Sequence, residues 1–287
     1  MATLRIKHET PEKPQMLLIG CGSAGRNIAS LSRRIRRLTI DGGGGADFPV
    51  DRSTLAVAEM EPSMIRTASP AFYSRLGREV EGAHAVMIVG GLGGFAGGIA
   101  AAAVSRAGRA LGIPVIASVA LPFDVEGSVR RASARKSLDD LERTASITIP
   151  FENNIINQTM SNVRISRALD IMNRIVLSPL EEIALCADSE FLDSLARSHY
   201  RGRYAVSYSS GMDWEKKGAH GILSELGEQS LRFMQIHVFL SINSGWEDSA
   251  ERLGSALLSK AGECDVTVWV KNRKEEAQNR IGAIALY

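Results

Sequence analysis

The segment Gly90-Gly91-Leu92-Gly93-Gly94-Phe95-Ala96-Gly97-Gly98-Ile99 limits what this chain can fold into more than any other. It follows the apolar run Ala85-Val86-Met87-Ile88-Val89 and opens onto Ala100-Ala101-Ala102-Ala103-Val104. That order predicts a buried strand, a glycine turn and an alanine-rich helix. Glycine permits positive φ and lets the backbone approach a ligand closely. A helix that starts there adds unpaired N–H groups and the positive end of its dipole. Together these parts make an anion cradle, most often for phosphate.

A second turn of the same kind lies near the start. Met16-Leu17-Leu18-Ile19 predicts a short strand that breaks at Gly20-Cys21-Gly22-Ser23-Ala24-Gly25, and Ile28, Leu31 and Ile35 continue at helical spacing. Gly20-x-Gly22-x-x-Gly25 matches the dinucleotide fingerprint. An acidic residue for the ribose is expected at the end of the second strand. Leu55-Ala56-Val57-Ala58 predicts that strand, and Glu59 is the residue in that role. Two cradles on one site fit a nucleoside triphosphate better than a dinucleotide, and a nicotinamide-dependent dehydrogenase is the distant alternative.

Further strands are expected at Pro114 to Ala120 and Ser146 to Pro150, with a charged helix over Ser128 to Arg143. Strands alternating with helices indicate an α/β, doubly wound parallel sheet. Asp41 to Asp47 reads as an exposed flexible connector, because no strand is expected before it, and Thr67 to Pro70 as a turn. Arg33, Arg34, Arg36 and Arg37 read as a solvated face late in the first helix. Ile165, Leu169, Met172 and Val176 mark one face of a long helix, with a kink or break expected at Pro179. From about Tyr204 the pattern becomes α+β, with strands at 204–206, 237–242, 265–270 and 282–286. The last two of these are expected to be antiparallel neighbours. The domains expected are a flexible arm (1–14), a nucleotide-binding domain (15–163), a central helix with the segment that follows it (164–202) and a smaller α+β domain (203–287).

Composition excludes several classes. Hydrophobic residues make up 45% and charged residues 23% of the 287, and the formal net charge is +2. These values fit a globular protein with no general affinity for polyanions, so no nucleic-acid partner is expected. Cys21, Cys186 and Cys264 are far apart and odd in number, and no histidines pair at i, i+4, so neither disulfides nor a metal site is expected. No run approaches the ~18 apolar residues that span a bilayer. A cytoplasmic protein without direct membrane insertion is the expectation.

At this point the chain resembles the tubulin/FtsZ superfamily. Gly20-Cys21-Gly22-Ser23-Ala24-Gly25-Arg26-Asn27 looks like its first phosphate loop. Gly82 to Val89, running into the opening segment, looks like the strand and signature loop of FtsZ. Leu121-Pro122-Phe123-Asp124-Val125-Glu126-Gly127, followed by Arg130-Arg131, is close to its ribose loop. Ala168-Leu169-Asp170 through Glu182-Ile183 is similar to its central helix, and Val238 to Ile242 with the final strands to its second domain. The resemblance implies a Rossmann-like sheet, a long central helix and a smaller α+β domain. It implies GTP or GDP as ligand, with Mg only beside GTP. Subunits would stack head to tail with themselves or with another FtsZ-like protein, each completing its neighbour's GTPase site. Gly20, Cys21, Gly22 and Ser23, with Gly93, Gly94, Ala96, Gly97 and Gly98, would bind phosphate. Glu126 and Arg130 would hold ribose, Asn27 and Asp170 would read guanine, and Asn153 or Asn154 would serve the base-side loop, where Phe151 stands in place of asparagine. Because the chain stops at Tyr287, no adaptor-binding tail is expected.

The departures from the family pattern are specific. Ala96 and Gly98 stand where hydroxyl residues would bond phosphate, while Phe95 and Ile99 add bulk. Each lost hydroxyl contact to a charged group is worth about 1.5–3 kcal/mol. A gapless alignment sets Glu190-Phe191-Leu192-Asp193-Ser194-Leu195 over the catalytic loop and puts Leu192 and Leu195 in place of its two aspartates; Glu190 and Asp193 are the nearby carboxylates. Weak nucleotide binding with impaired hydrolysis is therefore the first expectation. A structural pseudo-GTPase that binds no nucleotide, and an active GTPase with a rearranged loop, are the alternatives.

Overall fold

The computed structural model describes residues 2–8, 13–50, 70–155, 164–227, 233–242, 247–272 and 279–287. The expected strand at Leu55–Ala58, Glu59, and residues 67–69 of the expected turn lie outside them. Contacts divide the chain into an N-terminal unit (Pro14–Glu181 and Ser189–Tyr200) and a C-terminal unit (Met1–Lys13, Glu182–Asp188 and Arg201–Tyr287).

In chain order, β1 (Leu4–His8) belongs to the C-terminal unit. The N-terminal unit then runs β2 (Met16–Cys21), α1 (Gly22–Leu31), β3 (Arg36–Asp41), β4 (Phe48–Pro49) and α2 (Pro70–Val80). It continues with β5 (Ala85–Gly91), α3 (Phe95–Ala110), β6 (Val115–Leu121), a 3-10 turn (Asp124–Glu126), α4 (Ser128–Thr144) and β7 (Ile147–Glu152). Then come α5 (Ile165–Cys186) and α6 (Ser189–Leu195). The C-terminal unit resumes with β8 (Tyr200–Ser209), α7 (Trp214–Leu226), β9 (Gln235–Ile242), α8 (Glu247–Ala261), β10 (Asp265–Asn272) and β11 (Asn279–Leu286).

The sheet of the N-terminal unit is wholly parallel, in the order β7-β6-β5-β2-β3-β4. Its central strands are apolar throughout, as a sheet covered on both faces requires: every residue of β2 is buried, and so are Ala85 to Gly90 of β5. The chain leaves β2 toward β3 and β4 and returns to β5 on the other side of β2. The strand order therefore reverses between β2 and β5. In open α/β sheets ligands bind outside the carboxyl ends of the strands at such a switch point. Gly20 pairs with Val89 and Cys21 with Gly90, so both glycine turns emerge there together.

Several expectations fail for reasons of long-range pairing. The arm expected to be flexible forms β1, which lies parallel to β10 from Leu4↔Val266 to His8↔Val270. The first helix ends at Leu31, so the arginines lie beyond it, and Arg36 and Arg37 open β3. That strand precedes the Asp41–Asp47 loop, which is thus the turn at a strand's carboxyl end. The last two strands are not neighbours: β11 pairs antiparallel with both β9 and β8, while β10 lies parallel to β9. The parallel pair needs a crossover, which α8 supplies. Of the kink or break expected at Pro179, the break does not occur, because α5 runs 22 residues through the proline. Val176, Leu177 and Leu180 are buried around the proline, and their packing offsets the roughly 3 kcal/mol cost of an interior proline.

Candidate functional site

The carboxyl ends of β2 and β5 open into a cavity of about 990 Å³ that, among the described residues, is lined by the N-terminal unit. One end is backbone-rich. Gly22, Ser23 and Ala24 of α1 line it opposite Gly94, Ala96 and Gly97 at the start of α3. Gly22 has φ +72°, and a Cβ there would lie 2.9 Å from both the nitrogen and the Cα of Gly97. A Cβ on Gly97 would meet the Gly91 oxygen at 2.4 Å. The two turns are therefore in backbone contact, which only glycine permits. Neither helix start has a side-chain cap, and neither has an acidic residue in its first turn. Two sets of free N–H groups and two positive dipole ends meet in one space, which suits a polyanion.

The wall beside this end carries Asp41 from the end of β3. It is buried, and its Oδ2 accepts from the Ser23 hydroxyl at 3.0 Å and from Arg26 at 3.4 Å. Its Oδ1 accepts from the Gly42 N–H at 2.8 Å. Farther along, Glu126 Oε1 accepts from the Phe123 N–H at 2.8 Å, which fixes the 3-10 turn, while Oε2 pairs with Arg130. The next turn is held to it by Asn154, whose Oδ1 accepts from the Asp124 N–H at 3.1 Å. Neighbouring Asn153 lines the cavity, and among the described residues its buried Oδ1 has no hydrogen-bond partner. The far wall is α5, through Ala168, Leu169, Met172, Asn173 and Val176. The Ser118 hydroxyl of β6 donates to the Val176 oxygen at 2.5 Å and sets the helix against the sheet.

Of the residues singled out in the sequence, Gly22, Ser23, Gly94, Ala96, Gly97, Glu126, Arg130 and Asn153 come together on this cavity. The other residues expected to bind nucleotide do not line it. Gly20 is needed for packing inside the β2–α1 turn, since a Cβ there would lie 2.5 Å from the Gly25 oxygen. Cys21 is wholly buried, and burial pushes its thiol far above the usual range. Gly93, with φ +91°, faces the Arg130 oxygen, and Gly98 faces Ser137 of α4. Asn27 and Asp170 are exposed. Phe151 is core. Ile99, read as bulk against the ligand, is also part of the core.

Asp41 and Asn173 escaped sequence reasoning. Leu38-Thr39-Ile40 carried the signal for a strand ending in an acidic residue, and the helical spacing from Leu169 to Asn173 carried the other. The expected catalytic loop is instead a helix. Phe191, Leu192 and Leu195 are buried, whereas Glu190 and Asp193 are exposed, three residues apart on its outer face. The leucines that the gapless alignment sets over the two aspartates thus fill core positions. Among the described residues no cluster of three metal-ligating side chains occurs. No described helix is long and apolar enough to cross a membrane.

Residues 55–161 match the model of the Tubulin/FtsZ family, GTPase domain, a segment that includes β5, the second glycine turn and the ribose-loop motif. Over these residues the chain is similar to that family's GTPase domain, and its sequence relatives and fold support a protein of the tubulin/FtsZ superfamily. Cell division protein FtsZ 2 of Halobacterium salinarum is 24% identical over 189 residues, covering 60% of this chain and 47% of that protein. The chain spans about half the length of the curated FtsZ relatives it matches. The tubulin/FtsZ fold extends over nearly all of it: an empty FtsZ dimer from M. jannaschii superposes with a TM-score of 0.77 at 15% identity, covering 96% of this chain and 89% of that one. CetZ2 from Haloferax volcanii, in a GTPγS-bound protofilament, gives a TM-score of 0.68 at 17% identity, covering 95% and 92%.

Proposed function

We propose that the N-terminal unit binds a guanine nucleotide and that the chain assembles with copies of itself or with a related FtsZ-like chain. The meeting of two uncapped helix starts at Gly22 and Gly97, on one cavity at the switch point, carries this proposal. Phosphates would lie on those N–H groups and ribose hydroxyls against Glu126 and Arg130. The base would lie along α5, with the Asn153 and Asn173 carboxamides at its polar edge. A carboxamide oxygen accepts from the N–H edge that distinguishes guanine. Mg is expected only together with GTP. Ala96 brings no hydroxyl to the cradle, and this one loss weakens affinity by roughly 10–100-fold. Gly98 costs nothing, because its position faces α4. Titration calorimetry with GTP and GDP tests the proposal, and no binding at millimolar nucleotide would leave the pseudo-GTPase in its place.

Impaired hydrolysis rested on Leu192 and Leu195 replacing carboxylates. Their burial beside the exposed pair Glu190 and Asp193 favours the other reading, an active GTPase whose carboxylates act on a neighbouring copy. Such groups polarise an attacking water, a contribution of ~10²–10⁴-fold. Phosphate release per subunit that rises with protein concentration is the expected result. A rate independent of concentration, or absent altogether, would return the first expectation.

A further inference from the structure

We propose that Arg26 is a phosphate-binding arginine supplied in cis, which turns from Asp41 and Gly44 to the terminal phosphate of a nucleoside triphosphate. The inference rests on the nucleotide-binding function proposed above and adds to it a residue that selects triphosphate over diphosphate.

Asp41 poses the electrostatic problem. Its carboxylate lies on the cavity wall with only 6% of the side chain exposed, beside the helix starts that suit a polyanion. Phosphate there meets a like charge in a partly desolvated space, and a cation is needed to balance the two. Arg26 contacts the Asp41 carboxylate at that wall, and its side chain is not among those that line the cavity. It lies one helical turn beyond Gly22 and Ser23 on α1 and therefore shares their face. Its Nη1 donates to Asp41 Oδ2 at 3.4 Å and to the Gly44 oxygen at 3.3 Å.

That hold is loose. Both distances lie at the long end for hydrogen bonds, and 34% of the Arg26 side chain is exposed. The Gly42–Gly45 turn lies under the guanidinium, where Cβ atoms on Gly43 and Gly45 would lie 3.5 and 3.7 Å from its nitrogens. The planar fork of arginine matches phosphate bidentately, and such charge-assisted bonds are about twice as strong as neutral ones. Exchanging the neutral Gly44 carbonyl for a phosphate oxygen is therefore favourable. A diphosphate, one group shorter, gains less from the exchange.

Calorimetric titration of the wild-type chain, Arg26→Ala, Arg26→Gln and Arg26→Lys with GTP and GDP tests the proposal, with thermal unfolding as the check on folding. Arg26→Ala should lower GTP affinity about tenfold or more while GDP affinity stays within about twofold. Arg26→Gln keeps a donor for the Gly44 oxygen but no charge, and should lose GTP as the alanine variant does. Arg26→Lys should fall between these and wild type. If Arg26→Gln behaves as wild type, or if GTP and GDP change together, Arg26 is only a tether for the glycine turn and the proposal is overturned. A wild-type chain that binds neither nucleotide overturns the nucleotide-binding function itself, and the inference with it.

Discussion

A Cβ placed on Gly22 would stand 2.9 Å from the backbone nitrogen of Gly97, so the two glycine turns of the cavity are built against each other. Gly22→Ala combines that overlap with a φ of +72°. The substitution should destabilise the N-terminal unit by about 1–3 kcal/mol and remove nucleotide binding. Gly44→Ala, where an added Cβ meets nothing within 4 Å, is the control. Denaturant midpoints and nucleotide titration should separate the two variants; equal behaviour would mean that contact between the turns is unimportant.

Gly98→Ser looks in sequence like the return of a phosphate-binding hydroxyl. In the structure a Cβ at this position would lie 2.2 Å from the Ser137 hydroxyl on α4. The variant should therefore lose about 1–3 kcal/mol of stability without any gain in GTP affinity. Adding Ser137→Gly should restore the stability. Tighter GTP binding by the single variant would show that this position reaches the ligand after all.

Glu190→Ala with Asp193→Ala should leave the unfolding midpoint nearly unchanged, because both side chains are exposed. Phosphate release should fall by ~10²–10⁴-fold. Leu192→Asp should do the opposite of what the gapless alignment suggests. It buries a charge where the leucine is 1% exposed and should cost several kcal/mol, on the order of 3 or more. A folded, faster Leu192→Asp variant would restore the original register.

His237 makes stability depend on pH. Burial, and secondarily the charge of Lys7, lowers its pKa from 6.5 to about 4. The unfolded chain therefore takes up a proton near pH 6.5 that the folded chain refuses until about pH 4. Stability is complete above the upper value and falls across this window as the pH drops, by about 3 kcal/mol at most. Chemical unfolding of wild type and His237→Gln between pH 7.5 and 4 should show a smaller slope in the variant.

Much of the site was legible because its requirements are local. A strand that ends in glycine and opens a helix is written in consecutive residues, and so is the ribose-loop motif around Pro122, Glu126 and Arg130. Assignments that depended on a partner far along the chain were not legible. Gly98 looks like a phosphate residue until Ser137 is placed beside it. Asp41 looks like part of a connector until β3 pairs with β2 and brings it to the cavity. Asp170 and Asn173 both lie on α5, and periodicity alone does not say which of them faces the cavity.

By itself the sequence determined the parallel α/β class, the two glycine turns after β2 and β5, and the resemblance to tubulin and FtsZ, since backbone conformation and burial period are local properties. Tertiary structure alone decided that β1 lies beside β10, that β11 lies between β9 and β8, and that Leu192 and Leu195 face inward while Glu190 and Asp193 face out. Strand order and helix facing are settled by which apolar surfaces meet. That is a contest among segments distant in sequence, and no single stretch of the chain encodes its outcome.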